Sequence, residues 1–379
     1  MAYTNIDDPS AYFQTTTYAG DSNNSTVITN DGNSDLQADL IWLKNRTLSG
    51  DSTSSHMLFD SSRGIKSTTG ADSPYLHSDS TLAEDTNVKG LQAVSSNGFT
   101  PGYMSRTNKT SSNFVAWQWK ANGGTTTSVS ASGTGANCIN ASTHQVNQDA
   151  GCSIITYTGR ADQITVHQQT NLTHGLGVAP DLTIMKKRDG TGDWVVMGKH
   201  ITTSSAYSAN EHLHLNTTAA ISDAEYTGYV APTSTYIYLG DALVNDTGDD
   251  YVCYAFTEKQ GYSKFGSYIA NANTNGPFAY TGFKPAFLMI KNINRVEPWM
   301  MYDNKRTPIN QIDTVLQANS NGADTTAATD YGTDFLSNGF KIRAVGTGYA
   351  NHTVGNKYIY MAFAENPFTT STGVPTTAR

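Results

Sequence analysis

Two Asp/Arg pairs at one spacing, Asp60 with Arg63 and Asp303 with Arg306, are the residues whose types and placement first suggest chemistry. A carboxylate held beside a guanidinium can serve catalysis, and it can equally tie a turn as an ion pair. The third copy of the surrounding motif carries Gly198 and Ile201 at these places, so a repeated catalytic pair is not supported and turn-tying is the reading adopted. His212-Leu-His214 would put two imidazoles on one strand face, with His200 or His174 completing a metal site. Alternating histidines in a polar strand read more simply as solvent-exposed, and His174, in a His-Gly-Leu-Gly stretch before Pro180, reads as a turn residue. Asp189-Gly-Thr-Gly-Asp193 and Asp246-Thr-Gly-Asp-Asp250 have the oxygen-rich look of calcium loops. Neither continues into a full ligand series with a terminal Glu, and hairpin turns look the same. No nucleophile elbow, phosphate loop, His-Glu-x-x-His or paired-carboxylate motif stands out. No catalytic residue, cofactor or metal is assigned, and the chain is read as no enzyme.

Trp117 and Trp119, two residues apart in an extended stretch, would share one face and could form a stacking platform or a core. Internal repetition decides between these. Phe114-Val-Ala-Trp-Gln-Trp119 recurs as Tyr251-Val-Cys-Tyr-Ala-Phe256 and as Tyr358-Ile-Tyr-Met-Ala-Phe363, so Trp117 and Trp119 correspond to Tyr254 and Phe256, then to Met361 and Phe363. A packed interior accepts Met where a stacking platform does not. Asp39-Leu-Ile-Trp-Leu-Lys44 likewise matches Asp181-Leu-Thr-Ile-Met-Lys186 and Ala286-Phe-Leu-Met-Ile-Lys291, apolar runs of strand length buried on both sides. A third set aligns Ser55-His-Met-Leu-Phe-Asp60, Asp193-Trp-Val-Val-Met-Gly198 and Pro298-Trp-Met-Met-Tyr-Asp303. Trp42, Trp117, Trp119, Trp194, Tyr254, Phe256, Trp299 and Phe363 are therefore taken as structural core.

Further anchors are three Tyr-x-Gly openings (Tyr18 to Gly20, Tyr157 to Gly159, Tyr280 to Gly282), two Ser-Asn-Gly-Phe turns, and loosely aligned segments around Leu76, Leu213 and Leu316. From Lys44 to Trp119, Lys186 to Phe256 and Lys291 to Phe363 the chain spans 75, 70 and 72 residues. These recurrences, with abundant Ser, Thr, Asn, Gly and 21 Tyr, predict an all-β chain of three tandem homologous β-sandwich modules, lectin-like or jelly-roll-like. The boundaries read as a lead segment 1–17, module 1 at 18–121, a Ser/Thr/Gly/Asn-rich linker at 122–149, module 2 at 150–262, module 3 at 263–368 and a polar tail at 369–379.

With 24 basic against 32 acidic side chains the chain lacks the cationic footprint of a nucleic-acid binder. Three distant cysteines, Cys138, Cys152 and Cys253, suit buried free thiols better than a disulfide framework. The amino terminus has neither a cationic start nor an apolar run, and no segment approaches 18 uninterrupted apolar residues, so secretion and membrane insertion are not expected.

The opening Ile6-Asp-Asp-Pro-Ser-Ala-Tyr-Phe-Gln14, the Asp39–Arg46 strand, the segment at 59–64, Phe114–Ala121, His174-Gly-Leu-Gly-Val-Ala-Pro180 and the ending Ala364-Glu-Asn-Pro-Phe368 together resemble repeat proteins of tailed bacteriophages, especially marine and cyanobacterial ones. The resemblance implies a virion-surface structural protein, a tail-fibre or appendage component with modules that contact a host receptor or glycan. Its partners would be other tail or capsid proteins, its location the virion surface after synthesis in the host cytoplasm, and its assembly a homo-oligomer, by analogy with trimeric fibres. A capsid decoration protein, a glycan-binding lectin and a polysaccharide depolymerase are the alternatives. Tyr3, Ile6, Tyr12 and Phe13 are the residues expected to dock the chain onto the particle, although they could equally complete module 1.

Overall fold

The computed structural model describes residues 3–376 apart from 51, 66–72, 88, 131–138, 140, 161–169, 204–210, 223–230, 241–242 and 346–347; Cys138 falls outside them. The chain is all-β. Twelve strands carry the architecture: β1 (Phe13–Ala19), β2 (Leu40–Asn45), β3 (Met57–Asp60) and β4 (Asn113–Trp119); β5 (Cys152–Thr158), β6 (Leu182–Lys187), β7 (Trp194–Gly198) and β8 (Asp250–Phe256); β9 (Ser263–Ile269), β10 (Phe283–Asn292), β11 (Met300–Asp303) and β12 (Lys357–Pro367). They form three antiparallel sheets of the same order, β1-β4-β2-β3, β5-β8-β6-β7 and β9-β12-β10-β11. The register is the same as well. Leu40 faces Trp119 and Lys44 faces Val115 in the first sheet, Leu182 faces Phe256 and Lys186 faces Val252 in the second, and Phe287 faces Phe363 and Lys291 faces Ile359 in the third.

Each of these sheets is covered on both faces, which is why β2, β6 and β10 read as unbroken apolar runs rather than alternating ones. The outer face packs on a smaller sheet of its own module and closes a sandwich. In module 1 the smaller sheet is Ile28–Thr29, Gly98–Pro101 and Leu91–Ser95; in module 2, Thr170–Thr173 and Tyr236–Leu239; in module 3, Phe278–Tyr280, Gly339–Ile342 and Thr333–Leu336. Three separate apolar clusters fill these sandwiches. The inner faces converge on a fourth cluster drawn from all three modules, including all eight aromatic residues expected in the core. At its centre the equivalent residues Trp119, Phe256 and Phe363 touch one another pairwise, with ring centroids 5.6 to 6.5 Å apart. Three equivalent side chains in mutual contact place a pseudo-threefold axis there, so the modules form a closed ring about a shared core rather than a string.

Several segments sit differently from their sequence reading. Residues 13–17 are no lead segment but the first part of β1, which pairs along its whole length with β4. Within 122–149, Thr127–Ser130 and Ala141–Asn147 are strands that extend the module 2 sheet beyond β5, because Ser/Thr-rich sequence serves an edge strand as well as a linker. In the tail, Ser371 bonds Asp7 through its backbone and hydroxyl.

The third Tyr-x-Gly anchor also belongs elsewhere. Tyr18 stacks on Phe114, Tyr157 on Tyr251 and Tyr268 on Tyr358, and the amides of Gly20, Gly159 and Ala270 each bond the carbonyl opposite at 2.8 Å. The counterpart of Tyr18 is therefore Tyr268, whereas Tyr280 lies on the smaller sheet and is 54% exposed.

Candidate functional site

The chemically suggestive residues lie where the modules meet. Lys44, Lys186 and Lys291 end the equivalent strands and are buried. Each ammonium donates to carbonyls on both sides of a joint. Lys44 Nζ reaches Asn45 O at 2.7 Å and Asn321 O of module 3 at 3.3 Å, and Lys186 Nζ reaches Lys187 O at 2.6 Å and Thr81 O of module 1 at 3.3 Å. Lys291 Nζ reaches Glu297 O at 2.8 Å and Thr218 O of module 2 at 3.1 Å. Two residues after each lysine, the joints repeat a backbone bond, Asp324 N to Arg46 O, Glu84 N to Arg188 O and Ile221 N to Ile293 O, at 2.9, 2.6 and 2.8 Å. Module 1 thus grips module 3, module 2 grips module 1 and module 3 grips module 2, which closes the ring.

The second residue of the third repeated motif does the same. Trp194 Nε1 donates to His77 O of module 1 and Trp299 Nε1 to His214 O of module 2, at 2.7 and 2.9 Å. In module 1 this position is His56, whose Nε2 lies 3.0 Å from Gln317 O of module 3 while its Nδ1 accepts from Trp42 Nε1 at 2.8 Å. The Trp42 donor fixes His56 as the Nε2–H tautomer, so the imidazole does the work of the indole N–H. Burial, with the Lys44 charge nearby, holds its pKa well below the ordinary value. The acceptors follow Leu76, Leu213 and Leu316 directly, which gives those loosely aligned segments their meaning.

The Asp/Arg pairs explain why one copy differs. Asp60 and Arg63 are fully buried and form an ion pair; Arg63 also donates to Leu58 O and Glu84, and Tyr254 Oη of module 2 donates to Asp60 at 2.7 Å. Asp303 and Arg306 pair at 2.6 Å, Trp117 Nε1 of module 1 donates to Asp303 at 3.1 Å, and the Arg306 guanidinium lies over the Trp117 ring. Tyr254 and Trp117 are equivalent residues that each bring a polar hydrogen to a neighbouring module. At the third joint the equivalent is Met361, with nothing to donate, and it lies beside Gly198 and Ile201. A carboxylate buried there would lack its outside donor, so the apolar pair is the consistent solution. Glu84 and Asp324 each take a second Arg, Arg188 and Arg46, while their counterpart is Ile221 against Ile293. Two joints are ionic and one is apolar.

Burial pulls the pKa of all three joint lysines down to about 8. An unfolded lysine keeps its ordinary value near 10.5, so between pH 8 and 10.5 the folded chain binds fewer protons and stability rises with pH, by about 1.4 kcal/mol per unit per lysine. Cys152 and Cys253, whose thiol pKa values burial raises, oppose this from about pH 9 upward. Comparison with Lys291→Met cancels that opposition. From pH 8 to 9.5, urea unfolding should show the unsubstituted chain gaining about 1–2 kcal/mol on the variant, and parallel pH profiles would refute the assignment.

The other candidates are not brought into a site. His212 and His214 pack edge to face, His174 Nδ1 accepts from Leu176 N in a turn, and no group of three His, Cys, Asp or Glu able to hold a metal exists among the described residues. In the acidic loops, Asp249 pairs with Lys187 and Asp189 accepts from the backbone of Asp250. The expected docking residues are largely consumed by the fold. Phe13 packs against Trp119, Phe287 and Phe363, Ile6 is buried in the same core, and Tyr12 packs on Tyr262. Of the four, Tyr3 and Tyr12 stay partly exposed, and Tyr3 bonds Gly282 O at 2.7 Å beside exposed Tyr280.

A cleft of about 710 Å³ opens on module 3. It lies between the loop after β11, the turn after Thr333–Leu336, and the neighbouring ends of β10 and β12. Asp303 anchors that loop by accepting from the amides of Lys305 and Arg306, and Asn310 clamps its far end by bonding both backbone groups of Phe335. Asn304 and Asn366, both lining the cleft, escaped the sequence reading because Asn304 has Ser61 and Lys199 as its counterparts, and Asn366, although matched by Asn122 of module 1, has no counterpart in module 2, where the position is Lys259. Glu84 and Asp324 escaped it because their counterpart is apolar.

The structure thus defines a class: a single-chain ring of three β-sandwich modules with ionic and apolar joints and a large open cleft on module 3. The chain belongs to DUF7483, a domain of unknown function, whose family model matches residues 8–367. No curated protein and no solved structure matches it.

Proposed function

We propose that the protein is a non-catalytic structural component of a bacteriophage virion surface, a tail-fibre or appendage protein that contacts the host. The observation that carries the reading is the use of the joint residues. The buried lysines, the buried Asp/Arg pairs and the joint histidine and tryptophans all hold modules together, and none points into the cleft. Such a ring suits a rigid display element, and the bacteriophage resemblance of its motifs supplies the setting. Since all three joints are filled within one chain, any homo-oligomer would form through other surfaces. Cryo-electron microscopy of intact particles tests the reading. Density for this ring on the tail is the expected result, regular density over the head would make it a decoration protein, and absence from particles would overturn the proposal.

A further inference from the structure

We propose that the module 3 cleft binds a neutral saccharide. The proposal deepens the host-contact reading and rests on it for the source of the sugar. The volume falls within the range of small-ligand sites, about 300–1,000 Å³. Its charges are already matched. Lys284 pairs with Glu365 at 2.7 Å, and Lys305 grips both oxygens of Asp31, at 2.7 and 2.8 Å. A phosphate or an acidic polymer would have to displace these partners, whereas an uncharged ligand need not.

The remaining lining mixes apolar side chains, Pro308, Ile312 and Leu336, with the amides of Asn304 and Asn366. A pyranose presents C–H faces and hydroxyl edges on one ring, and each hydroxyl both donates and accepts. Asn304 Oδ1 has no hydrogen-bond partner among the described residues, so its accepting capacity is unspent within the protein.

An aromatic surface adjoins the cleft. Ser337 lines it, and the carbonyl of the next residue, Asn338, accepts from the amides of Thr281 and Gly282. There Phe278 and Tyr280 stand 45% and 54% exposed on the outer face of their strand, on either side of buried Ala279, with the Tyr280 hydroxyl 3.2 Å from that of Tyr3. Two exposed rings two residues apart on a strand, about 7 Å between them, offer a stacking surface for sugar units beyond those in the cleft.

The test is binding of the full chain to an array of bacterial surface polysaccharides and to cellohexaose, maltohexaose and chitohexaose, followed by titration calorimetry. At least one neutral glycan should bind. Asn366→Ala and Tyr280→Ala should each weaken it about tenfold with thermal stability unchanged, while Tyr349→Ala, at an exposed ring elsewhere, should leave it unaltered. Binding of no neutral glycan, of acidic polymers or peptides alone, or binding indifferent to both substitutions would overturn the proposal. Glycan binding by a protein absent from virions would leave this site standing and remove the virion reading; a tail protein that binds no neutral glycan would do the reverse.

Discussion

Replacing Arg63 by methionine is expected to cost about 3–5 kcal/mol of folding stability, the range seen when one partner of a buried ion pair is removed. The substitution leaves the Asp60 carboxylate buried with only the Tyr254 hydroxyl and the Arg63 amide to meet it, and takes one of two guanidinium partners from Glu84. The compensating experiment is built into the molecule. Asp60→Gly, Arg63→Ile and Tyr254→Met together copy the apolar joint formed by Gly198, Ile201 and Met361. A well-packed apolar replacement of a buried ion pair is often neutral or better, so the triple variant should recover most of the single variant's loss. Urea unfolding of the two variants decides it. A cost below about 1 kcal/mol for Arg63→Met, or a triple variant no more stable than the single, would show that the joints are not interchangeable solutions to one packing problem.

The second large effect concerns Phe363. Its ring meets those of Phe13, Trp119, Phe256, Tyr262, Phe265 and Phe287, drawn from all three modules. Phe363→Ala should cost about 3–5 kcal/mol, since a ring removed at the axis leaves a cavity that three sheets, each fixed by its own outer packing, cannot close. The distribution of that loss is more telling than its size. Because the inner faces share one core, probes in modules 1, 2 and 3 should lose structure together in a single transition in both the unsubstituted chain and the variant. Modules that melted separately would contradict the shared core.

Much of this architecture was legible in the residues. Strands buried on both faces cannot alternate, so the runs ending in Lys44, Lys186 and Lys291 announced themselves, and the aromatic strands aligned because equivalent core positions tolerate Trp, Tyr, Phe or Met alike. What stayed hidden was which module touches which. The joint bonds run from side chains to backbone carbonyls, which any residue supplies, so the partners Asn321, Thr81 and Thr218 carry no signature. The missing Asp/Arg pair of module 2 could be read only as a difference; its cause, Met361 in place of a donor, lies more than a hundred residues away. Tyr280-Thr-Gly282 imitated the Tyr18 and Tyr157 anchors in letters, while the true counterpart, Tyr268, is followed by Ala270. Tyr12 and Phe13 could be read either as docking anchors or as part of module 1, because an apolar stretch near a terminus suits both; Phe13 proves to open the edge strand of the first sheet.

Closing three modules into a ring within one chain also changes what a mutation can do. In a symmetric assembly of three identical chains, every substitution appears three times, at every joint and on every outward face. Here each change appears once. One joint can be apolar while two stay ionic, and a single module can carry an open cleft without the same opening weakening its neighbours. The ring can therefore vary its outward surface one sector at a time while two-thirds of its scaffold keeps its sequence.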